Sequence, residues 1–519
     1  MKKISFMMAG LLACAAAFAQ EGRPSDFERQ TLEVLLQPFS RTNNTAGMGL
    51  AQPMAGSRTE IGVFRSAGDF HRAQDAEADQ GFTFSTLRYD TFSDKLFMRG
   101  TFHYTLDREK DRKWSDVMDP WFSIPYIYGS AVAKDYSRHD CGLSFDLYTA
   151  PLWDRVSFGV KTDYAVADIS GLRDPRPRTG YLDWQVVPSV LFTFGRHHAG
   201  LDLGYGHAKE KLTGLTTIQS YPNLYYYKMS GLDHVDGTIS GYSGFKRQFA
   251  GGRFLGDLSY GYSSGGMNLV VSAGIEYRKL DAYGDKKQSP GSYNSFTYSG
   301  MADLTVQTSS LLHHVHLEGE YLDGGADEYL QELTSVKDPE TGATTETWET
   351  LYTYKNRYML TTREASLAYQ LYGGYTGADY LWRAGLRAGY TGFGKHCHLP
   401  ESSFEASGWT GGLEGSVRLF RQAGHKVDLA AAVLGYKHRD TVLNLQEDNL
   451  YTQEVLVPDG EYYSKDYVDA SASLTWQFPF NLGKGGRATG YVRLDGGLCK
   501  ASPEGRLTHV SLAVGLFTF

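Results

Sequence analysis

The residues with the clearest capacity for chemistry are two histidines and two glutamates at alternating positions. His314-Val315-His316 is followed by Glu318 and Glu320 at the same spacing. In a β-strand, residues two apart lie on one face with Cα atoms about 6–7 Å apart. Imidazole and carboxylate groups at that spacing can ligate a transition metal. We therefore interpret His314 and His316 as a candidate metal site, with a polar lining that binds no metal as the alternative.

A second cluster of potential ligands is His396-Cys397-His398. The sequence places it in an external loop, where the alternative interpretation is an ordinary polar loop. No cofactor is predicted. No enzymatic activity is predicted either. His139-Asp140 and Asp233-His234 combine suitable residue types, but adjacent residues on a strand point to opposite faces.

The start of the chain is typical of an exported protein. Lys2 and Lys3 precede an apolar stretch from Ile4 to Ala17, and Ala17-Phe18-Ala19 has the small-x-small form of a cleavage site. We interpret residues 1–19 as a signal peptide. The alternative is a lipoprotein signal at Leu11-Leu12-Ala13-Cys14. Cys141, Cys397 and Cys499 then remain, an odd and sparse set that does not predict a disulfide scaffold.

Period-two patterning over runs of 8 to 12 residues indicates the fold. In the clearest run, from Val468 to Phe478, apolar residues alternate with Asp, Ser, Thr and Gln. Each such segment has one apolar and one wet face. The runs are long and carry aromatic residues near their ends, which favours strands that cross a bilayer over those of a soluble sandwich. We predict an all-β chain that forms a transmembrane antiparallel β-barrel.

Connection lengths predict the number of strands. Short links follow Tyr89, Thr149, Phe194, Tyr262, Val306, Tyr372, Phe420 and Phe478, and they alternate with long polar stretches. Seventeen strands follow from Phe82 onward, and Thr59–Phe64 supplies one more. We therefore predict about 18 strands (range 16 to 20) over residues 58–519. Short turns and both termini are expected on the periplasmic side, because bacterial barrels have long loops outside.

Residues 20–57 form a different kind of segment. Ser25 and Glu28 have the spacing of a capping box, and Leu32, Leu35, Leu36 and Phe39 follow at helical spacing. These features predict a short amphipathic helix. Two positions are open for it, as a plug in the periplasmic mouth or against the barrel rim.

Inward-facing strand positions carry charges of both signs. Cross-strand ion pairing in a wet interior is one interpretation, and a pore whose charges select solutes is the other. The candidate lumen-lining residues are Glu276, Arg278, Glu318, Glu320, Arg383, Arg387, Arg493 and Asp495.

Tyrosines concentrate in one long external excursion. Residues 221–227 contain Tyr221, Tyr225, Tyr226 and Tyr227, which are flat side chains suited to contact with a glycan or a protein. They also fit an aromatic girdle or strands that project above the membrane. The net charge of −8 argues against a nucleic-acid partner, since such proteins present a basic face. The predicted environment is outer-membrane lipid and lipopolysaccharide.

Two family resemblances bear on function. The segment Asn43-Asn44-Thr45-Ala46-Gly47-Met48-Gly49-Leu50 is similar to the entry segment of long-chain fatty-acid-transporter-like barrels. Phe519 resembles the C-terminal signature of Gram-negative outer-membrane barrels. Together with the Tyr/Gly-rich strands, these features resemble an uncharacterised Gram-negative outer-membrane β-barrel family whose members accompany TonB-dependent nutrient receptors. The resemblance implies a channel or accessory role in uptake of a small nutrient or metal complex, with a TonB-dependent receptor as partner. The alternatives are a sealed barrel that displays its loops and a metal-handling barrel.

Overall fold

The structure is a computed structural model that describes residues 26–51, 56–122, 124–216, 225–238, 246–284, 288–337, 340, 344–481 and 487–518. The predicted signal peptide, Ser25, Tyr221 and Phe519 lie outside the described residues. No helix within these ranges is both long and apolar enough to cross a membrane.

The described elements are mostly strands. Two helices, α1 (Phe27–Leu36) and α2 (Val457–Tyr463), accompany a 3-10 helix (Thr45–Leu50) and a π-helical turn (Thr452–Leu456) that continues into α2. The strands are β1 (Gly56–Gly68), β2 (Ala78–Ser93), β3 (Leu96–Arg112), β4 (Tyr128–Gly129), β5 (Lys134–Thr149), β6 (Val156–Gly171), β7 (Arg176–Phe194), β8 (His197–Thr216), β9 (Tyr227–Ser230), β10 (His234–Thr238), β11 (Arg247–Ser264), β12 (Met267–Tyr283), β13 (Gly291–Gln307), β14 (Leu311–Lys337), β15 (Thr344–Gly373), β16 (Trp382–His398), β17 (Glu401–Gln422), β18 (His425–Asn444), β19 (Asp466–Asn481), β20 (Arg487–Ser502) and β21 (Arg506–Thr518).

Eighteen of these strands form one closed antiparallel barrel, which confirms the predicted fold and strand number. Each barrel strand pairs with the next one along the chain, and β1 closes the ring against β21 through the register from Ser57↔Thr518 to Gly68↔Leu507. The remaining three strands, β4, β9 and β10, form a small separate sheet. Closure removes free sheet edges, so within the closed wall the backbone of every barrel strand has a partner on both sides.

Side-chain alternation sets the two faces of the wall. In β19, Val468, Leu474 and Trp476 are exposed on the outside, whereas Gln477 is buried inside. The same alternation resolves the last strand, whose sequence left the faces open. Val510, Leu512 and Val514 are exposed on the outer face, and Phe517 is buried in the interior.

The two ends of the barrel differ in the length of their connections. All eight predicted short links join consecutive strands at one end, which we call the short-turn end. The start of β1 lies at this end because Gly56 is paired with Tyr89, close to the β2–β3 link, and the end of β21 lies beside it because Thr518 is paired with Ser57. The opposite, long-loop end carries the small sheet and the longest connections, such as those from β3 to β5 and from β18 to β19, although β16 and β17 are joined there by a tight turn.

Several segments that the sequence placed in loops are strands. β14 and β15 contain 27 and 30 residues, far more than the ~9–11 needed to span a bilayer. The Thr- and Glu-rich residues 344–350 belong to β15. His396, Cys397 and His398 end β16 rather than occupying a loop. The prediction failed because polar, charged strands above a membrane lack the hydrophobic contrast that marks a strand in sequence.

The outer wall is apolar and exposed. Large hydrophobic side chains face outward on strands around the barrel, including Val63, Leu143, Phe158, Leu203, Phe254, Leu258, Ile275, Leu317, Leu367, Leu386, Leu413, Val433, Val468, Leu494 and Val510. Soluble monomers rarely expose contiguous apolar areas beyond a few hundred Å². A continuous apolar belt with a polar interior is the arrangement of membrane barrels.

This wall gives a stability test with an internal control. Leu258 on β11 is 66% exposed within the belt, and Val336 near the tip of the β14 extension is 59% exposed. We expect Leu258→Arg to destabilise the folded protein in lipid vesicles by about 2–4 kcal/mol, because charge near the bilayer midplane is costly. We expect Val336→Arg to have little effect. Equal effects in urea unfolding titrations would contradict the belt.

Candidate functional site

The N-terminal helix lies inside the barrel. Helix α1 begins at Phe27, and the side chain of Asp26 accepts a 2.9 Å hydrogen bond from the backbone N–H of Arg29. Asp26 is thus the N-cap, the role that the sequence gave to Ser25, which lies outside the described residues. Glu28 is buried and forms no capping box, because its carboxylate is bound by basic side chains of the barrel wall. We call residues 26–51 the plug segment.

Apolar side chains of the plug segment pack on inward-facing residues near the short turns. Leu32 and Leu35 contact Leu312, Tyr372 and Tyr375. A second cluster joins Phe39 and Ala46 to Leu191 and Val270, and a third joins Met48 to Tyr89, Phe97 and Tyr148. Of the two positions left open by the sequence, the helix therefore occupies the mouth of the barrel and not its rim.

Ion pairs hold the first turn of α1. Arg418 of β17 lies 2.7 Å from Glu28, and Lys426 of β18 lies 2.7 Å from Asp26 and 3.1 Å from Glu28. Arg418 also contacts Asp379, in the β15–β16 connection, at 3.0 Å. Burial, followed by the charge of Glu28, raises the pKa of Asp26, although Lys426 opposes this shift. Buried pairs of this kind lose about 3–5 kcal/mol when one partner is removed.

The second half of the plug segment is held by hydrogen bonds to inward-facing acids. Arg41 contacts Asp303 at 3.0 Å, Asn43 donates to Asp257 at 3.1 Å, and Asn44 donates to Asp202 at 2.8 Å. The inward-facing acids thus find partners on a segment outside the sheet.

This contact set explains the Asn-Asn-Thr-Ala-Gly-Met-Gly sequence. Asn44 caps the 3-10 helix by accepting a 3.0 Å hydrogen bond from the N–H of Gly47. A Cβ at Gly47 would lie 2.2 Å from the Phe39 ring, and one at Gly49 would lie 1.9 Å from the carbonyl oxygen of Thr149. Glycine is therefore required where the plug segment approaches itself and the wall.

Folded loops occupy the long-loop end. We call the described parts of residues 113–133, 225–238 and 445–465 the loop cap. Trp114, Ile124, Met229 and Val455 form one apolar cluster with inward-facing residues of the wall such as Phe404. Such a cluster is a folded core and not a set of independent surface loops.

Buried polar contacts tie the loop cap to the wall. Asp116 accepts hydrogen bonds from Tyr136 and Tyr226, and Arg247 donates to its backbone carbonyl at 3.0 Å. The indole N–H of Trp114 donates to Glu454 at 2.8 Å. Every one of these contacts joins residues far apart in sequence, so none was predicted.

A polar cavity of about 620 Å³ lies in the lumen beside the plug segment. Its charged lining is mostly acidic, with Arg41 and Arg387 as the basic members. The acidic lining residues are Asp202, Asp257, Glu318, Glu320 and Glu364. We call this space the acidic cavity. Such a lining favours cations or hydroxyl-rich solutes over anions.

The predicted lumen-lining residues fall into separate groups. Glu318, Glu320 and Arg387 line the acidic cavity. Arg278 pairs with Glu276 at 3.0 Å. Arg493 contacts Asp495 and Glu60, both at 3.2 Å. Arg383 does not line that cavity and lies near Tyr372 and Glu414, towards the short-turn end.

The two histidines come together with a residue that the sequence analysis missed. Asp303 Oδ2 lies 2.9 Å from His314 Nε2 and 3.0 Å from His316 Nδ1. Asp303 sits directly opposite His316 in the β13–β14 register. The short link after β13 constrains this register to within a residue or two, so counting back across the hairpin would have found Asp303. Nothing local indicated Arg41.

The second predicted cluster does not converge. Cys397 is buried on the inner face, whereas its strand neighbours point to the outer face, and His396 contacts Glu405 at 3.3 Å. Alternation within β16 separates the thiol from both imidazoles.

The pattern Gly-Tyr-Ser-Ser-Gly at 261–265 has the spacing of a nucleophile elbow, but it ends β11 and enters a turn between strands. A nucleophile elbow requires a strand-to-helix turn.

The predicted contact tyrosines have different environments. Tyr225 is exposed, and Tyr227 packs against Trp114 with ring centroids 5.1 Å apart. Tyr226 is fully buried and donates to Asp116, so it belongs to the packing of the loop cap and presents no contact surface.

A family model covers nearly the whole barrel and part of the plug segment. Residues 45–518 match the family described as "Family of unknown function (DUF6850)". The chain belongs to this family. No curated protein matches the sequence.

Solved structures share the barrel architecture only. A ferric citrate transporter, FecA, in the unliganded form has 9% identity and a TM-score of 0.38, covering 90% of this chain and 79% of that one. The copper transporter OprC has 10% identity and a TM-score of 0.37, covering 89% and 81%. A Pseudomonas aeruginosa FadL homologue has 9% identity and a TM-score of 0.33, covering 96% and 99%. These similarities identify no cargo.

The loop cap has a predicted pH dependence. Burial raises the pKa of Asp459 in α2 from 3.8 to about 6, opposed by the hydrogen bond that it accepts from the N–H of Ala73 and by the charge of Lys395. Because the folded-state pKa is the higher one, this contribution to stability is fully present below pH 4. It is lost as the pH rises through 6, amounting to about 2–3 kcal/mol. We expect faster proteolysis of the loop cap at pH 7.5 than at pH 5. In Asp459→Asn this difference should shrink, and an unchanged difference would contradict the assignment.

Proposed function

We propose that this protein is an outer-membrane barrel that takes part in the uptake of a small nutrient or metal complex. In this proposal the plug segment is a gate on the periplasmic side, and the barrel carries out no enzymatic reaction. The apolar outer belt supports the membrane location. The placement of both ends of the described barrel beside the short turns supports a periplasmic orientation for that end.

The main support for the proposal is the acidic cavity, which lies between the plug segment at one end of the barrel and the loop cap at the other. The plug segment borders it through Arg41, Thr42 and Asn43, and inward-facing acids line its wall. A barrel that served only as an anchor would gain more stability from an apolar or fully paired interior. A charged space of about 620 Å³ is large enough for a small solute.

Other polar groups can replace the polar contacts that the plug segment makes with the wall. Water and solute groups can replace the contact of Arg41 with Asp303 and the hydrogen bond of Asn43 to Asp257, because Arg41 and Asn43 line the acidic cavity. The apolar contacts of Leu32 and Leu35 cannot be replaced in this way. We therefore infer that residues 41–43 move more readily than α1.

Conductance of the reconstituted mature protein tests the gate. Asp26→Asn with Glu28→Gln removes the charge from the carboxylates that Lys426 and Arg418 hold. We expect this double variant, and deletion of residues 20–50, to raise single-channel conductance severalfold in planar bilayers. The reason is that losing buried ion pairs weakens the attachment of the plug segment to the barrel wall by roughly 3–5 kcal/mol. Glu33→Gln is the matched control, because Glu33 pairs with Arg29 of the same helix at 2.8 Å.

The loop cap is a second closure and needs its own variant. Trp114 is fully buried in the cap, so Trp114→Ala is expected to loosen it by about 3–5 kcal/mol. Combining this change with the plug deletion should give the highest conductance of the series. A bilayer that stays sealed in the combined variant, while the barrel still shows heat-modifiable migration on gels, would overturn the transport proposal.

The structure also offers an observation that favours the display alternative. Beyond Glu328 and Tyr354, the described residues of β14 and β15 have strand pairing with each other and with no third strand, and they form a hairpin above the wall. Leu330, Val336 and Tyr352 on this hairpin are exposed hydrophobic residues. Exposed hydrophobic side chains on a largely polar hairpin outside the bilayer fit a contact with a protein partner. A TonB-dependent receptor is the partner that the family resemblance implies.

Co-purification in mild detergent tests this partner role. We expect Leu330→Ser with Tyr352→Ser to reduce recovery of a TonB-dependent receptor by at least tenfold, since each side chain lost from an interface centre costs about 1–2 kcal/mol. Leu258→Ser within the lipid belt is the matched control. Equal recovery with both variants would count against the hairpin as a contact surface.

A further inference from the structure

We propose that Asp303, His314 and His316 bind a divalent first-row transition metal, with Zn²⁺ as the reference ion, in exchange for the guanidinium of Arg41. The site lies on the inner wall at the border of the plug segment. This inference goes beyond the passage of a solute. It names the residues that would bind a metal ion, and it names Arg41 of the plug segment as the group that the ion would displace.

The three ligand atoms already converge. His314 Nε2, His316 Nδ1 and an oxygen of Asp303 all lie within 4.8 Å of one another. The two nitrogens are 2.9 and 3.0 Å from Asp303 Oδ2. Zinc bonds of about 2.0–2.1 Å in a tetrahedron give ligand separations of roughly 3.3 Å. The two Asp–His separations therefore need to lengthen by only a few tenths of an ångström, and the separation of the two histidine nitrogens, which is within 4.8 Å, would have to reach the same value.

Both imidazoles are held in the orientation that a metal requires. His314 Nδ1 faces the amide oxygen of Gln370 at 3.4 Å, and His316 Nε2 faces Glu318 at 3.3 Å. If these outer nitrogens donate, the inner nitrogens present lone pairs towards Asp303. Histidine ligands of metals commonly donate their other N–H to a carboxylate or carbonyl oxygen.

The outer acceptors are themselves fixed. Gln370 donates to Glu414 at 2.6 Å and accepts from the Tyr372 hydroxyl at 2.7 Å. Glu318 accepts from the Ser366 hydroxyl at 2.8 Å. This supporting layer distinguishes the site from a chance cluster of polar lumen residues.

Arg41 supplies the cation in the present arrangement. Its Nη1 lies 3.0 Å from Asp303 Oδ2 and 2.9 Å from His314 Nε2. When His314 is neutral and its Nδ1 carries the proton towards Gln370, its Nε2 accepts a hydrogen bond from Arg41. The Nε2 lone pair and the Asp303 carboxylate then share the guanidinium of Arg41 as their positively charged partner. A divalent metal at this point would satisfy both, and would bind His316 as well.

The site is reachable and selective. Arg41 and His316 line the acidic cavity, so an ion can arrive from the lumen. Two nitrogen ligands and one carboxylate suit Zn²⁺ and its neighbours, whereas Ca²⁺ and Mg²⁺ prefer oxygen ligands. Three protein ligands leave a fourth position for water or a solute donor.

Calorimetric titration of the mature, detergent-solubilised protein with Zn²⁺ tests the ligand set. We expect His314→Ala and His316→Ala each to lower the affinity at least tenfold. His313→Ala is the matched control, because His313 is the neighbouring histidine on the other strand face and contacts Tyr369. If His314→Ala and His316→Ala leave the affinity at the wild-type value, the site is overturned.

Arg41 gives the decisive variant. Arg41→Ala is expected to raise Zn²⁺ affinity about tenfold or more, because the competing cation is removed; an unchanged or lower affinity would overturn the exchange. Hydrogen exchange over residues 37–50 should become faster in wild-type protein when Zn²⁺ is added, and should not change in His314→Ala. Unchanged or slower exchange in the wild type would contradict displacement of Arg41. Neither measurement depends on conductance, so failure here is distinguishable from failure of the proposed function.

Discussion

One requirement shapes the whole structure: charged side chains that face the confined interior of the barrel need partners. A barrel with lipid outside must turn its polar residues inward, and 18 strands enclose more space than those side chains can fill. Some charges pair across neighbouring strands, as Arg278 does with Glu276. Others, such as Arg418 and Asp303, are completed by Glu28 and Arg41 of the plug segment. The plug segment is therefore part of the charge balance of the wall as well as an obstruction in its mouth.

The same requirement organises the long-loop end. Asp116 in the loop cap accepts from two tyrosines, one of them on the wall, and Arg247 of β11 reaches its backbone carbonyl. The loop cap also has an apolar core, which a charged lumen alone would not provide. Between these two closures the acidic cavity stays open and unevenly charged. The barrel thus has a folded segment at each end and an open charged space between them. The proposed gate and the proposed metal exchange both depend on this arrangement.

Membership in a family of unknown function assigns no cargo, so the site has to be argued from its own contacts. The contacts differ in what they allow. Apolar packing of Leu32 and Leu35 fixes α1, whereas residues 41–43 are bound through groups that water or a metal ion can replace. The part of the plug segment nearest the acidic cavity is thus the part most easily rearranged.

The sequence by itself determined the barrel, its strand number and the short links, because alternation and turn spacing are local signals that one chain displays directly. It also identified His314 and His316, since two residues on one strand face need no tertiary information. Only the tertiary structure decided that Asp303 and Arg41 complete that group, that Asp26 and not Ser25 is the N-cap, and that Tyr226 is buried. It likewise decided that β14 and β15 extend well beyond a bilayer. These features depend on contacts between distant segments, and polar strands above a membrane lack the hydrophobic alternation from which a strand is recognised.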